Sequence, residues 1–478
     1  MFVYSQTFSF TWDEGFHLLA AQLILDGKKP YIDFFFAQTP LYAYWNAFWM
    51  RIFGQSWHVA HAASSIMTTL AALPIADFTF ARLKSPWRLV GGVTAASLFL
   101  LNTEVLDFGT VGQAYGLCLF LGVAAFFCAL RSVDRESIPS AAGAGFLAGT
   151  AACSSLLTAA LAPILLAWIL IYGRRRAKKL LAFLAAGAVP FIPLFWFLVK
   201  APVQTWFDVV RYHVYYRAAN VQHTMRWDLG VVVSWTESSQ AAILGALAII
   251  GLWFISTHGE WTGFARRELY FCAWLSAGQA LYLASTHPTF PRYFLFLVPF
   301  LSPLAAVGVY AIASRLGSSE RRWTPTLAII IATAVAAGDG LFNRENFRWS
   351  ELEHVARKVD QVTPPGAPMW ADEHVYFLTK RQPPPGLEFS YSHTVNVDPA
   401  FGALVHVLPR AELIRMIAAG AFQTIETADD EDEINDLGIP PLYRQRTEIS
   451  ECDIFWDLKK RSGALGCSPC APQKALLK

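Results

Sequence analysis

Residues 11–45, TWDEGFHLLAAQLILDGKKPYIDFFFAQTPLYAYW, gather Asp13, Glu14, His17, Asp26, Lys28, Lys29 and Asp33 among aromatic side chains. Side chains three and four apart are neighbours on a helix, so the Asp13–Glu14 pair shares a side with His17. A carboxylate beside a low-dielectric boundary has the features of a general base, able to take a proton from an acceptor hydroxyl or amine. The same residues also suit a plain helix start, with Asp13 as N-cap and Glu14 in the first turn. His17 and Asp33 are the substrate-contact candidates of this stretch.

A second cluster, HPTFPRYFLFLVP at 287–299, places His287, Arg292 and Tyr293 at the end of an apolar segment. A guanidinium there can grip a lipid phosphate bidentately while the acyl chain stays in the bilayer. Snorkelling to a headgroup is the alternative. A third group, Trp206, Asp208, Arg211, Tyr212, His213, Tyr215, Tyr216, Arg217, His223 and Arg226, interleaves aromatic and basic residues. It suits a cover over a sugar phosphate, with Arg211 and Arg217 as phosphate contacts, and equally an interfacial helix. Asp372, Glu373 and His374 read as an exposed acidic turn in preference to a metal site, and Glu104 and Asp107 as solvated carboxylates in preference to ligands of a divalent cation. Cys467 and Cys470 form a CxxC suited to a disulfide, and no paired CxxC spacing for structural zinc is present.

These residues need elements to hold them. Of 478 residues 54% are hydrophobic and only 15% charged, too apolar for an ordinary soluble domain, so a polytopic α-helical membrane protein is expected. A net charge of +2 argues against nucleic-acid binding. Spans are expected at 57–81, 88–107, 113–131, 179–199, 237–257, 268–286, 291–314 and 323–342. Two short helices meeting in a turn near Ser154 are expected within 141–172. That gives about ten transmembrane helices, each near the 20 apolar residues a bilayer requires. With the N-terminal segment outside, every strong Lys/Arg cluster falls in a cytoplasmic connection. This requires 40–54, PLYAYWNAFWMRIFG, to lie in the interface. The chain then divides into an outer catalytic loop with interfacial helix at 1–56, a transmembrane domain at 57–343 with an outer loop at 200–235, and an extracytoplasmic tail at 344–478. In the tail, helices over 351–362 and 411–419 with strands near Met369 and Phe422 make a small C-terminal soluble α/β domain.

The first stretch resembles the bacterial membrane glycosyltransferases of the GT-C fold, particularly the family 39 or RgtA/B/C/D-like group related to protein O-mannosyltransferases and aminoarabinose transferases. The matching residues are Asp13 and Glu14, Gly27 with Pro30 and Tyr31, Pro40 and Leu41 with Tyr44 and Trp45, and Phe53 with Gly54. PRYFLFLVP is similar to that family's basic-aromatic segment before a late helix. The resemblance implies that Asp13 is the main catalytic carboxylate, that Glu14 assists or shapes the site, and that Arg292 neutralises the leaving phosphate. It implies a polyprenyl-phosphate sugar donor and an inverting transfer without a covalent enzyme intermediate. Some relatives use a divalent cation, which these residues do not decide. The family's acidic loop follows a first transmembrane helix, whereas twelve residues precede Asp13, so either a later start or a missing first helix is expected.

Together these features lead to a glycosyltransferase in the bacterial inner membrane, with its active site and tail on the extracytoplasmic side. It would move a sugar from a lipid-linked donor to a hydroxyl or amine of a glycan, lipid or protein acceptor. The partners are then membrane lipids and these substrates, with no nucleic acid. A transporter or flippase for lipid-linked glycans is the alternative. It would place ionisable residues and broken helices near the bilayer midplane, whereas here they gather at the outer ends. A non-catalytic scaffold is the third reading, preferred if Asp13 is dispensable.

Overall fold

In the computed structural model, residues 1–220, 224–258, 263–286, 288–316, 323–342 and 347–459 are described. The chain opens with α1 (Phe2–Thr7), α2 (Glu14–Leu25) and α3 (Leu41–Phe53). Gly27 and Gly54 follow α2 and α3 with φ of +90° and +98°, the left-handed region that ends a helix most readily at glycine. The expected interfacial stretch is therefore α3, whose Phe48, Ile52 and Phe53 remain exposed. The long helix α4 (Trp57–Arg82) begins where the Ser56 Oγ accepts a hydrogen bond from the His58 N–H at 3.2 Å.

The expected 88–107 span is two helices, α5 (Arg88–Leu100) and α6 (Thr103–Phe108). Asn102 takes extended backbone and its side-chain oxygen accepts from Val105 N, capping α6 and breaking the span. Gln240 fastens the break, accepting from Thr103 N and donating to the Leu101 carbonyl. α7 (Tyr115–Asp134) follows, then α8 (Ile138–Ser154) and α9 (Leu161–Tyr172), the pair expected to meet near Ser154.

Among the described residues, five helical segments are long and apolar enough to cross a membrane: Trp57–Arg82, Tyr115–Asp134, Arg176–Lys200, Gln240–Thr257 and Pro291–Arg315. Their packing follows bilayer logic, in which helices gain little from apolar burial and associate through small residues. Gly145 and Gly149 of α8 lie against the backbone of Arg176–Lys200. A Cβ on either would sit 2.1 Å from the Phe183 carbonyl oxygen or 2.2 Å from that of Gly187. α7 and the Pro291–Arg315 segment lie at the centre and Arg176–Lys200 at the periphery.

The segment read as an outer loop at 200–235 is largely helical, with a π-helical turn at Phe207–Arg211. Beyond it the tail forms a four-stranded sheet of order β1-β2-β4-β3, from β1 (Met369–Trp370), β2 (Thr424–Thr427), β3 (Tyr443–Ile449) and β4 (Cys452–Leu458). β1 and β2 run parallel, and the remaining pairings are antiparallel. Helices Trp349–Val362 and Arg410–Ala418 stand where the periodicity puts them, and Trp349, Leu352, Val355 and Val359 form the buried stripe of the first. This tail packs on the start of the chain. Trp57 and Trp349 stack at 5.3 Å, Gln22 Nε2 donates to the Arg381 carbonyl, and His406 Nε2 meets the Ile32 carbonyl.

Candidate active site

The acidic pair at the start of α2 separates into two environments. Asp13 occupies the N-cap position, yet its side chain makes no capping hydrogen bond. Its carboxylate turns instead to Arg292, with Oδ2 2.5 Å from Nη2, both side chains partly exposed. The plain capping role is thereby corrected. Glu14, one residue on, is completely buried and accepts from four donors. These are His61 Nε2 at 2.7 Å, Gly112 N at 2.8 Å, the Trp349 indole N–H at 2.8 Å and Thr11 N at 3.3 Å. Burial alone would raise its pKa, but the His61 charge and the N–H donors outweigh it and hold the carboxyl below its ordinary value. His61 Nδ1 faces the Ser5 carbonyl at 2.6 Å. Both ring nitrogens thus meet oxygens, one on the Ser5 carbonyl and one on the Glu14 carboxylate. Glu14 is therefore a positioning residue that ties α1, α2, α4, the loop before α7 and the tail into one joint beneath Asp13.

The loop carrying Asp13 is held by aromatic packing. Trp12 lies 4.9 Å from Phe347 and 5.3 Å from His374, and Phe10 lies 5.5 Å from His374. His374 rests directly on Gly15, where an added Cβ would come within 2.5 Å of the imidazole. The Asp372–Glu373–His374 turn is not an exposed acidic turn: Glu373 and His374 are buried against this loop. Burial pushes His374 down to about 4 and keeps it neutral. Glu373 is raised by burial, with Asp13 adding to the shift, and it accepts from Ser390 N and Oγ. Tyr391 and Tyr216 are likewise raised, first by burial, and Asp13 contributes to both. A side chain of the tail and two phenols therefore sense the Asp13 carboxylate.

Arg292 is the second residue of the 3-10 segment Pro291–Leu297, directly before a central apolar helix. Its guanidinium lies 4.6 Å from the Phe290 ring, 5.9 Å from Tyr293 and 6.0 Å from Phe108, and Tyr115 adjoins it. Its Nε is buried without a hydrogen-bond partner. These aromatic walls hold a cation with one edge spent on Asp13 and another unspent.

Other sequence candidates stand apart from this pair. His17 is buried among Phe16, Phe36 and Tyr42, and burial pushes it down to about 3, so it offers no charge to a phosphate. The Asp33 carboxylate closes a surface turn by accepting from Lys29 N at 2.7 Å. Arg211 donates to the Tyr215 hydroxyl and Arg217 Nε to the His213 carbonyl. Both belong to the 200–235 segment, which is fastened to the first loop by Asp208 accepting from Phe36 N and by His213 at the Ala37 carbonyl. Asp107 is buried, not solvated: the Tyr4 hydroxyl donates to it. His287, Cys467 and Cys470 lie outside the described residues.

Sequence reasoning missed His61 and Trp349, the two side chains that complete the Glu14 joint. A lone imidazole inside an apolar span is a signal in its own right, because ionisable groups there are costly and kept for a purpose. Trp349 carried no such mark, and only the tail's docking reveals it. A divalent cation does not fit this donor set. Among the described residues no three His, Cys, Asp or Glu side chains are grouped to hold a metal, Asp13 faces a guanidinium, and Glu14 is consumed by four donors.

No family model matches the sequence, and no curated protein matches it. Solved structures do. ArnT from Cupriavidus metallidurans bound to undecaprenyl phosphate superposes with a TM-score of 0.67 at 12% identity over 97% of each chain. Its apo state gives 0.61 at 11% identity over 94% of this chain and 93% of that one. The Archaeoglobus fulgidus oligosaccharyltransferase in complex with Zn and sulfate gives 0.53 at 14% identity, over 87% of this chain and 65% of that longer one. At these identities the likeness speaks of architecture. With its apolar helices, its carboxylate loop at the start of α2 and its small docked sheet, this chain has the GT-C fold, in the full-length arrangement of ArnT.

Proposed function

We propose that this chain is a membrane glycosyltransferase that moves a sugar from a polyprenyl-phosphate donor to a hydroxyl or amine acceptor at the outer face of the membrane. The observation that carries this reading is the meeting of Asp13 and Arg292, remote in sequence and 2.5 Å apart in space, at the head of a central apolar helix. A base beside a phosphate-sized cation is what glycosyl transfer from a lipid phosphate requires. The neighbour bound to undecaprenyl phosphate supports the donor class.

In the proposed reaction the acceptor oxygen or nitrogen attacks the anomeric carbon and gives its proton to the Asp13 carboxylate. The bond between that carbon and the phosphate oxygen breaks, and the leaving phosphate gains negative charge. Arg292 faces that growing charge, so its contribution is larger in the transition state than in the bound donor. Attack from the side opposite the phosphate inverts the centre in one displacement. An even number of crossings, about ten, would leave Asp13 and the tail on one side, and the Lys/Arg clusters of the alternate connections support the outer one.

The test is transfer by the purified, reconstituted protein across a panel of polyprenyl-phosphate sugars, with Asp13→Asn alongside. One donor should be consumed, and Asp13→Asn should lose about 100- to 10,000-fold in rate at unchanged thermal stability. Near-native transfer by Asp13→Asn would reject the base. A C-terminal reporter giving a cytoplasmic signal would reject the outer placement.

A further inference from the structure

The Asp13–Arg292 ion pair sits where the proposed reaction needs both groups unpaired. A carboxylate held by a guanidinium is a poor proton acceptor, because the same lone pairs already receive charge-assisted hydrogen bonds. A guanidinium engaged by a carboxylate offers less to a phosphate. Yet Arg292 keeps its Nε buried and unpartnered, a donor that a phosphate oxygen entering in place of the Asp13 carboxylate would satisfy. The cation is fixed by Phe290, Tyr293 and Phe108, whereas Asp13 stands at the start of α2 without a capping bond to hold its side chain. Of the two partners, Asp13 is the one free to turn away.

We propose that the pair is a latch opened by the donor: the lipid phosphate takes Arg292 from Asp13, and only then is the Asp13 carboxylate available as base. The inference rests on the reading of Arg292 as the phosphate site and adds an order of events to it. Donor binds first, and an acceptor arriving alone meets a base that is still paired. The end of the cycle follows from the same competition. Transfer leaves the proton on Asp13, which is then neutral and cannot compete for Arg292 while the lipid phosphate still sits there. Loss of that proton to water restores the carboxylate, which re-forms the pair and displaces the spent polyprenyl phosphate.

Binding alone, without turnover, tests this. Undecaprenyl phosphate would be titrated onto the full-length protein in nanodiscs, for the wild type, Asp13→Asn, Asp13→Ser, Arg292→Ala and the Asp13→Asn/Arg292→Ala double variant. Removing the competitor should tighten binding by about 2- to 5-fold in both Asp13 variants, the range expected for a partly exposed ion pair. Arg292→Ala should weaken binding, and adding Asp13→Asn to it should recover nothing, because the gain acts through the guanidinium. Two Asp13 variants guard against a folding defect peculiar to one. Unchanged or weaker binding by both would overturn the latch and leave the phosphate role of Arg292 standing. Equal tightening in the Arg292→Ala background would overturn it too, reducing the effect to simple repulsion. Failure of the wild type to bind, or undiminished binding by Arg292→Ala, would overturn the latch together with the functional reading beneath it.

Discussion

Replacing Glu14 by Ala should destabilise the protein far more than any change at its neighbour Asp13, and the structure sets the size of the loss. Both Glu14 and His61 side chains are fully buried, and removing the shared acceptor of three buried donors, at about 1–3 kcal/mol each, costs on the order of 3–5 kcal/mol. The loss arises because His61, Gly112 N and the Trp349 indole would each be left without their acceptor. His61→Ala should cost a similar amount. The double variant removes both members of the pair at once, so it should fall within about 1 kcal/mol of the worse single variant, a coupling of about 3 kcal/mol between contacting residues. Equilibrium unfolding in mixed detergent micelles, followed by tryptophan fluorescence, measures all three. Additive losses would show that the two side chains do not act as a pair. A cost below about 1 kcal/mol for Glu14→Ala would refute the joint itself.

Arg292→Ala should lower kcat/KM for the donor by about 10- to 100-fold and Arg292→Lys by less, since lysine keeps the charge without the fork; equal, near-native rates would assign Arg292 to membrane anchoring. Glu426 is buried with its Oε2 accepting from Asp372 N, and burial pushes it up from 4.5 to about 7. A folded-state pKa above the unfolded one means stability is lost as pH rises from about 4.5 through about 7, so Glu426→Gln should stabilise on the order of 3 kcal/mol at pH 8 and little at pH 4, read as the difference in Tm across pH. A pH-independent difference would refute the assignment. Gly15→Ala should cost about 1–3 kcal/mol and loosen the tail, detected as faster proteolysis after Trp349, because the His374 ring is packed by Phe10, Trp12 and Trp349 and has no space to retreat. Wild-type resistance would show that the ring can move.

Much of the framework was legible because apolar length, caps and turn residues are local. Gly54 ends α3, Pro40 precedes it, and the periodicity of the helix Trp349–Val362 is readable without its partners. The break at Asn102 was less legible, since a capping asparagine inside an apolar run looks like a tolerated polar residue until Gln240 is seen holding the freed backbone. The buried Asp372–Glu373–His374 turn was misread because exposure is decided by what packs on a segment, and that is the Asp13 loop from the opposite end of the chain.

By itself the sequence determined that the chain is a helical membrane protein, that Asp13 and Arg292 were its foremost chemical candidates, and that they belong to different segments. Only the tertiary structure decided that the two meet, and that Glu14 is enclosed in an environment separate from that of Asp13. Neighbours on one helix turn point about 100° apart, so adjacent carboxylates can enter opposite environments. One reached a guanidinium at a partly open mouth. The other was enclosed by donors from α4, the loop before α7 and the tail, a set of contacts that exists only once the chain has folded.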